Sequence, residues 1–200
     1  MMLRVTIRLL PLLAAASVAS QEILTAVSTP TYALVHDGKA VYQDYSASTA
    51  YITEITLDTK AKRTLLPQTG GGAPPYHYEY FWSGEDLVFV PFTSAAAYPL
   101  NYRNTTTGAT RQVTTSQEWK ETVWVGGGIV VWADYRHKTS SNQNSEIYMA
   151  GAASGTEQRI TNDTRYQTKP VTDGHRIAWL DYVASDHANV VLYDISLPRP

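Results

Sequence analysis

The sequence predicts an all-β fold, because one phrase is written in it four times. A turn glycine opens a strand that ends in an aromatic residue; a polar corner, a second strand and a third follow. The copies begin Asp37-Gly38-Lys39-Ala40-Val41-Tyr42, Ser83-Gly84-Glu85-Asp86-Leu87-Val88-Phe89, Gly126-Gly127-Gly128-Ile129-Val130-Val131-Trp132 and Asp173-Gly174-His175-Arg176-Ile177-Ala178-Trp179. Gly38, Gly84, Gly127 and Gly174 stand 46, 43 and 47 residues apart. Helical periodicity is missing, and Thr, Tyr and Val fill the interiors, as strands prefer. Sheets this small cannot bury an apolar face alone, and radial stacking of such repeats is how a β-propeller solves that problem. The expectation is a β-propeller of four blades forming one domain over residues 21–200, with repeats at about 21–66, 67–114, 115–161 and 162–200.

Residues 1–20 read as a targeting segment. Arg4 and Arg8 precede the apolar run Leu9-Leu10-Pro11-Leu12-Leu13-Ala14-Ala15-Ala16, and Val18-Ala19-Ser20 before Gln21 fits a signal-peptidase site. The run is shorter than the roughly 20 residues of a spanning helix. Cleavage near Ser20 and Gln21 is therefore expected, with a secreted or periplasmic product and no membrane span afterwards. The chain holds no cysteine, which removes a disulfide framework and a lipid-anchored export signal. Stability must come from the core, and a single domain of this length can supply one. The formal charge of −2 becomes −4 once Arg4 and Arg8 are removed with the leader. An acidic balance speaks against nucleic acid, which demands a basic face, and there is no polybasic patch for a membrane surface.

Each element follows from local chemistry. The second strands are the most apolar and end at Tyr42, Phe89, Trp132 and Trp179, rings expected to fill the wedge between neighbouring blades. Third strands are expected at residues 51–57, about 100–103, 146–149 and 189–193. Turn residues separate them from fourth strands: Asp58-Thr59-Lys60, Asn104-Thr105-Thr106-Thr107-Gly108 and Gly151-Ala152-Ala153-Ser154-Gly155. Fourth strands at 62–66, 111–114 and 157–161 are short and polar, as outer edges should be. The fourth repeat stops after its third strand. Sliding the sequence by 136 residues lays residues 21–25 on 157–161 and Asp37-Gly38 on Asp173-Gly174. The N-terminal strand is thus expected to close the last blade and remove its open edge. Self-association is the other route if one chain does not close the ring.

These motifs resemble the TolB-like (WD40-like, or PD40) propeller repeats. The third repeat carries the likeness best, in Gly127-Gly128-Ile129-Val130-Val131-Trp132-Ala133-Asp134-Tyr135-Arg136, Glu146-Ile147-Tyr148, Gly155-Thr156-Glu157 and Ile160-Thr161-Asn162-Asp163. The fourth keeps Ile177-Ala178-Trp179-Leu180-Asp181-Tyr182 and Leu192-Tyr193-Asp194; the first keeps Asp44-Tyr45; the second has Pro91-Phe92 instead. The resemblance implies a scaffold that binds proteins, peptides or sugars on one face. Propellers host binding and catalysis alike, so it implies no reaction.

In such a scaffold the strand 2–3 corners and the blade-to-blade connections open on one face, and binding residues gather on loops over a rigid frame. The corners supply Asp44, Tyr45, Asp134, Tyr135, Arg136, Asp181 and Tyr182, and the connections supply Tyr76, His77, Tyr78, Trp119 and Tyr166. Aromatic rings beside carboxylates suit a sugar, whose apolar faces stack while its hydroxyls hydrogen-bond. Equally, Asp44, Asp134 and Asp181 have a structural reading as acceptors for turn amides. The segment Pro74-Pro75-Tyr76-His77-Tyr78-Glu79-Tyr80, after Gly70-Gly71-Gly72, breaks the repeat and reads either as a lid or as a rigid spacer.

No nucleophile elbow, phosphate loop or metal-ligand spacing is present in the sequence. No cofactor is expected. The reading is a secreted or periplasmic binding module, non-enzymatic, for a carbohydrate or a protein or peptide partner. The alternative is a carbohydrate-active hydrolase or lyase drawing acid and base from Asp134, Asp181, His137 or His187.

Overall fold

The computed structural model describes residues 33–46, 49–66, 79–91, 98–139 and 144–196. They form fifteen β-strands and no helix, arranged as four antiparallel sheets. Blade one is β1 (Ala33–His36), β2 (Lys39–Ser46), β3 (Thr49–Thr56) and β4 (Lys62–Leu66). Blade two is β5 (Glu79–Ser83), β6 (Asp86–Val90), β7 (Asn101–Asn104) and β8 (Thr110–Gln112). Blade three is β9 (Lys120–Gly126), β10 (Ile129–Asp134), β11 (Glu146–Gly151) and β12 (Gln158–Arg159). Blade four has three strands, β13 (Tyr166–Thr172), β14 (Arg176–Ala184) and β15 (His187–Asp194). Each sheet pairs its strands in chain order, as expected of a propeller blade.

The repeated glycines make the turns between first and second strands. Asp37 and Gly38 both have positive φ (46° and 67°), as do Gly127 and Gly128 (54° and 76°), the geometry whose twist matches a two-residue hairpin. In blade four Asp173 replaces that geometry by accepting the amides of His175 and Arg176 at 2.8 and 2.7 Å. The turns of blades three and four press together: a Cβ on Gly127 would sit 2.6 Å from the Cα of Gly174.

Apolar clusters lie between the blades. Val41, Ile52 and Leu65 of blade one pack with Trp82, Leu87 and Phe89 of blade two. Val88, Val90, Leu100 and Tyr102 meet Val125, Val130 and Trp132 of blade three. Val131, Ala133, Ile147 and Met149 meet Ile177 and Trp179 of blade four. Phe89, Trp132 and Trp179 therefore fill the wedges, each facing the preceding blade. Tyr42 stands at the equivalent place in blade one, but among the described residues it clusters only with Ala40, Ile55 and Leu57 of its own blade.

Strand limits differ from the expected ones by a few residues. β15 spans His187–Asp194 rather than 189–193, and β12 is only Gln158–Arg159. The proposed closing strand at 21–25 and the leader at 1–20 lie outside the described residues. Within those described, β15 is hydrogen-bonded to β14 alone. No helix among them is long and apolar enough to cross a membrane.

Candidate functional site

Two of the equivalent corners use their aspartates differently. Asp134 ends β10 and is fully buried. Its carboxylate accepts Trp132 Nε1 at 3.0 Å, the Arg136 amide at 2.9 Å and Arg136 Nη2 at 2.6 Å. Lys120 Nζ, also fully buried, lies 3.6 Å away and donates to the carbonyls of Ser116 and Glu118. Burial lowers the pKa of Lys120, against the pull of Asp134. Arg136 continues the chain of charges by pairing with Glu157, which also accepts from Thr115, and its guanidinium lies 4.3 Å over the Tyr148 ring. A charged network of this kind ties the corner to its sheet and leaves Asp134 without an open face.

Asp181 sits in β14 and is nearly buried, yet its partner is at the surface. Arg165 Nη1 pairs with it at 3.1 Å, and Nη2 of the same guanidinium reaches Asp163 at 3.2 Å. Against the burial that would raise it, hydrogen bonds from the amide and side chain of Arg165 and from Gln167 hold the Asp163 carboxyl below its ordinary range.

Beside this pair three tyrosines converge. Tyr166 and Tyr182 are directly opposite in the β13–β14 ladder, with ring centroids 5.4 Å apart. Tyr135 donates its hydroxyl to Tyr166 at 3.4 Å, and Tyr166 donates to Glu121 at 2.7 Å. Thr168 donates to the same Glu121 oxygen at 2.8 Å. Burial, then the neighbouring Tyr166 and Glu121, push the Tyr135 phenol well above its ordinary value. Glu121 and Thr168 meet because both inner strands are bulged: register shifts in the β9–β10 and β13–β14 ladders accompany positive φ at Thr122 (52°) and Lys169 (54°).

Tyr166 and Tyr182 wall a cleft of about 490 Å³, completed by Asn144, Thr164, Arg165, Val183, Ala184 and Ser185. The strand 2–3 corner of blade four and the connection entering it thus form one cleft with two rings and a cation on its wall, the cation being held from behind by Asp181 and Asp163. Of the residues expected at the mouth, Tyr166 and Tyr182 line this cleft, Asp181 pairs with the Arg165 that lines it, and Tyr135 buttresses Tyr166. Trp119 stands apart, its ring edge-on to Tyr98 at 4.9 Å. Tyr76, His77 and Tyr78 lie outside the described residues, as do the side chains of Asp44 and Tyr45, whose backbones pair with Tyr51 and Ala50. His137 bonds Tyr148 at 2.7 Å, and His187 is exposed beside Asp186.

A second cleft, of about 550 Å³, opens at the glycine-turn end and takes residues from all four blades, among them His36, Phe81, Trp82, Trp124 and Asp173. Phe81 stacks on Trp124 with centroids 3.6 Å apart. Trp82 is buried, and its Nε1 has no hydrogen-bond partner among the described residues. Sequence reasoning missed this cleft. The signal was available: Val35, Phe81 and Trp124 each stand three residues before a repeated glycine, so one inner-strand position supplies the rim from three blades, and Thr172 and Asp173 supply it from the fourth.

No protein-family model matches the chain, and neither does any curated protein. Solved structures do match. TolB from Acinetobacter baumannii superposes with a TM-score of 0.59 at 16% identity, covering 79% of this chain and 38% of that one. The β-propeller domain of the Trilobed protease from Pyrococcus furiosus gives 0.56 at 12%, covering 80% and 52%. The fold is a β-propeller, and TolB is among the structures that share it. An oligogalacturonate lyase in complex with manganese gives 0.63 at 10%, covering 86% and 52%. The chain therefore spans between about two fifths and half the length of these propeller-bearing chains, and at such identities the likeness is one of fold.

Proposed function

We propose that the chain is a secreted or periplasmic binding module that holds a carbohydrate on the loop face, without catalysis. The observation that carries this reading is the cleft where Tyr166 and Tyr182 lie side by side next to Arg165 and Asp181. Rings offer the apolar faces a pyranose stacks on, and the Arg165 guanidinium, oriented by Asp181, offers donors for its hydroxyls. The export half of the reading rests on Arg4, Arg8 and the apolar run ahead of Gln21.

Hydrolysis or lysis draws less support. Asp134 is fully buried and engaged by Trp132, Arg136 and Lys120, and His137 is engaged by Tyr148. A protein partner is the second reading, favoured by the glycine-turn cleft, where Phe81, Trp82 and Trp124 would receive an apolar side chain.

Glycan-array screening of residues 21–200, followed by calorimetry, tests the proposal. Tyr166→Ala and Tyr182→Ala are each expected to weaken binding about tenfold, equivalent to about 1.4 kcal/mol. Binding unmoved by both changes sinks the site, and release of shortened sugar chains sinks the non-enzymatic reading.

A further inference from the structure

Among the described residues that line the Tyr166–Tyr182 cleft, Arg165 alone is charged. Its charge is already answered. Nη1 lies 3.1 Å from Asp181 and Nη2 lies 3.2 Å from Asp163. Asp163 stands in the connection between β12 and β13, Asp181 stands in β14, and neither lines the cleft. Both carboxylates are fixed in turn. Asp163 Oδ1 accepts the Arg165 amide at 2.7 Å and Gln167 Nε2 at 2.6 Å. The same Gln167 nitrogen, on a fully buried side chain, reaches Asp181 at 3.4 Å. Against the burial that would raise it, the bonds from Arg165 and Gln167 hold the Asp163 carboxyl low, so it is ionised near neutral pH. The guanidinium is thus clamped, one positive charge between two negative ones.

An acidic ligand binds arginine best through the paired N–H groups of its fork. Here each Nη already faces a carboxylate of the protein, and the three groups together are net negative. The surroundings do not reverse that sign. Glu121 accepts the Tyr166 hydroxyl at 2.7 Å, and Asp186, next to the lining Ser185, pairs with His187. The segment Ser140-Ser141-Asn142-Gln143 ahead of Asn144 brings no charge. What the wall offers is two rings, the polar residues Thr164 and Ser185, and the guanidinium N–H groups not turned to the carboxylates. We infer that the ligand of this cleft is an uncharged sugar, and that the Asp163–Arg165–Asp181 clamp discriminates against uronates and sulfated sugars. The clamp holds arginine donors in place for hydroxyl and ring oxygens while cancelling the charge that would draw an acid. Asp163 and Asp181 act through Arg165, as positioning residues. This inference rests on the carbohydrate reading and adds the class of sugar to it.

A glycan array carrying neutral, uronate and sulfated oligosaccharides, probed with the full chain, is expected to return neutral sugars. Each sugar bound is then oxidised at its primary alcohols to the matching uronate, and calorimetry compares the two. In low salt the uronate is expected to bind about threefold more weakly, and the gap should close as salt rises. Loss of a hydroxyl contact alone would not respond to salt. Asp163→Asn removes one negative charge and keeps an acceptor for the Arg165 amide, and its side chain is exposed enough for the fold to bear the change. It is expected to narrow the neutral-over-uronate ratio about threefold. Tyr182→Ala should weaken both sugars and leave the ratio where it was. Uronates that bind as tightly as their neutral parents, or more tightly, overturn the inference and leave the carbohydrate reading standing. So does a ratio that neither salt nor Asp163→Asn moves. An array without a bound sugar removes the carbohydrate reading and this inference with it.

Discussion

Repetition at the residue level does not bring identical roles. Asp134 and Asp181 occupy equivalent corners, but one is enclosed by Trp132, Arg136 and Lys120 and the other is held by an exposed arginine. Removing the carboxylate of Asp134 leaves Lys120 and Arg136 as buried charges with less compensation, and orphans the Trp132 indole N–H. Asp134→Ala is therefore expected to destabilise the fold by about 3–5 kcal/mol, measurable by urea denaturation. The sugar affinity of the remaining folded protein should be unchanged. Loss of binding in that variant alone would accordingly report folding. The repeated motif made the corner residues legible as a set, yet the split between them was not legible: Glu157 and Lys120, which decide it, are 23 and 14 residues away in the chain.

At the level of elements, the strands were readable because glycine turns and apolar runs of strand-favouring residues ending in an aromatic are local signals. The inner-strand bulges were not. Thr122 and Lys169 hold positive φ without being glycine, and only the blade-to-blade packing that brings Glu121 to Thr168 explains why. The outer edge of β15 is the other element-scale question. Blades one to three end in a fourth strand, and we propose residues 21–25 for that place in blade four on the sequence offset of 136 residues. Deleting them is expected to speed amide hydrogen exchange in β15 while leaving β6 and β10 protected. Equal exchange in β15 with and without the segment would argue that it pairs elsewhere.

For the molecule as a whole, the acid limb of stability is set by carboxyls held below their ordinary range, and among the described residues these lie in blade four and its flanking connections. Asp163 is held below its ordinary range despite burial by Arg165 and Gln167, Asp173 by the amides of His175 and Arg176, and Asp194 by the hydroxyl and amide of Ser196. Carboxyls depressed in the folded state contribute stability that is present above their unfolded pKa, about 4, and is lost as pH falls through the folded values. The melting temperature is expected to hold near neutrality and to drop below about pH 4. Hydrogen exchange should show blade four loosening before blade two. Uniform loosening would mean that these three carboxyls do not govern the acid limb.

The sequence by itself determined the class and the repeat, since turn glycines, strand-favouring interiors and recurring aromatics act over a few residues and need no knowledge of neighbours. It also determined that this fold stands without disulfides. Tertiary structure decided which repeated side chains are open. Ile147 is core because Ile177 and Trp179 of blade four pack against it, a contact between segments 30 residues and more apart. The same holds for the tyrosines: Tyr166 and Tyr182 became a cleft wall because two strands set them opposite each other beside an arginine drawn from the connecting loop. Exposure is a property of what packs next, and that is written in distant segments of the chain.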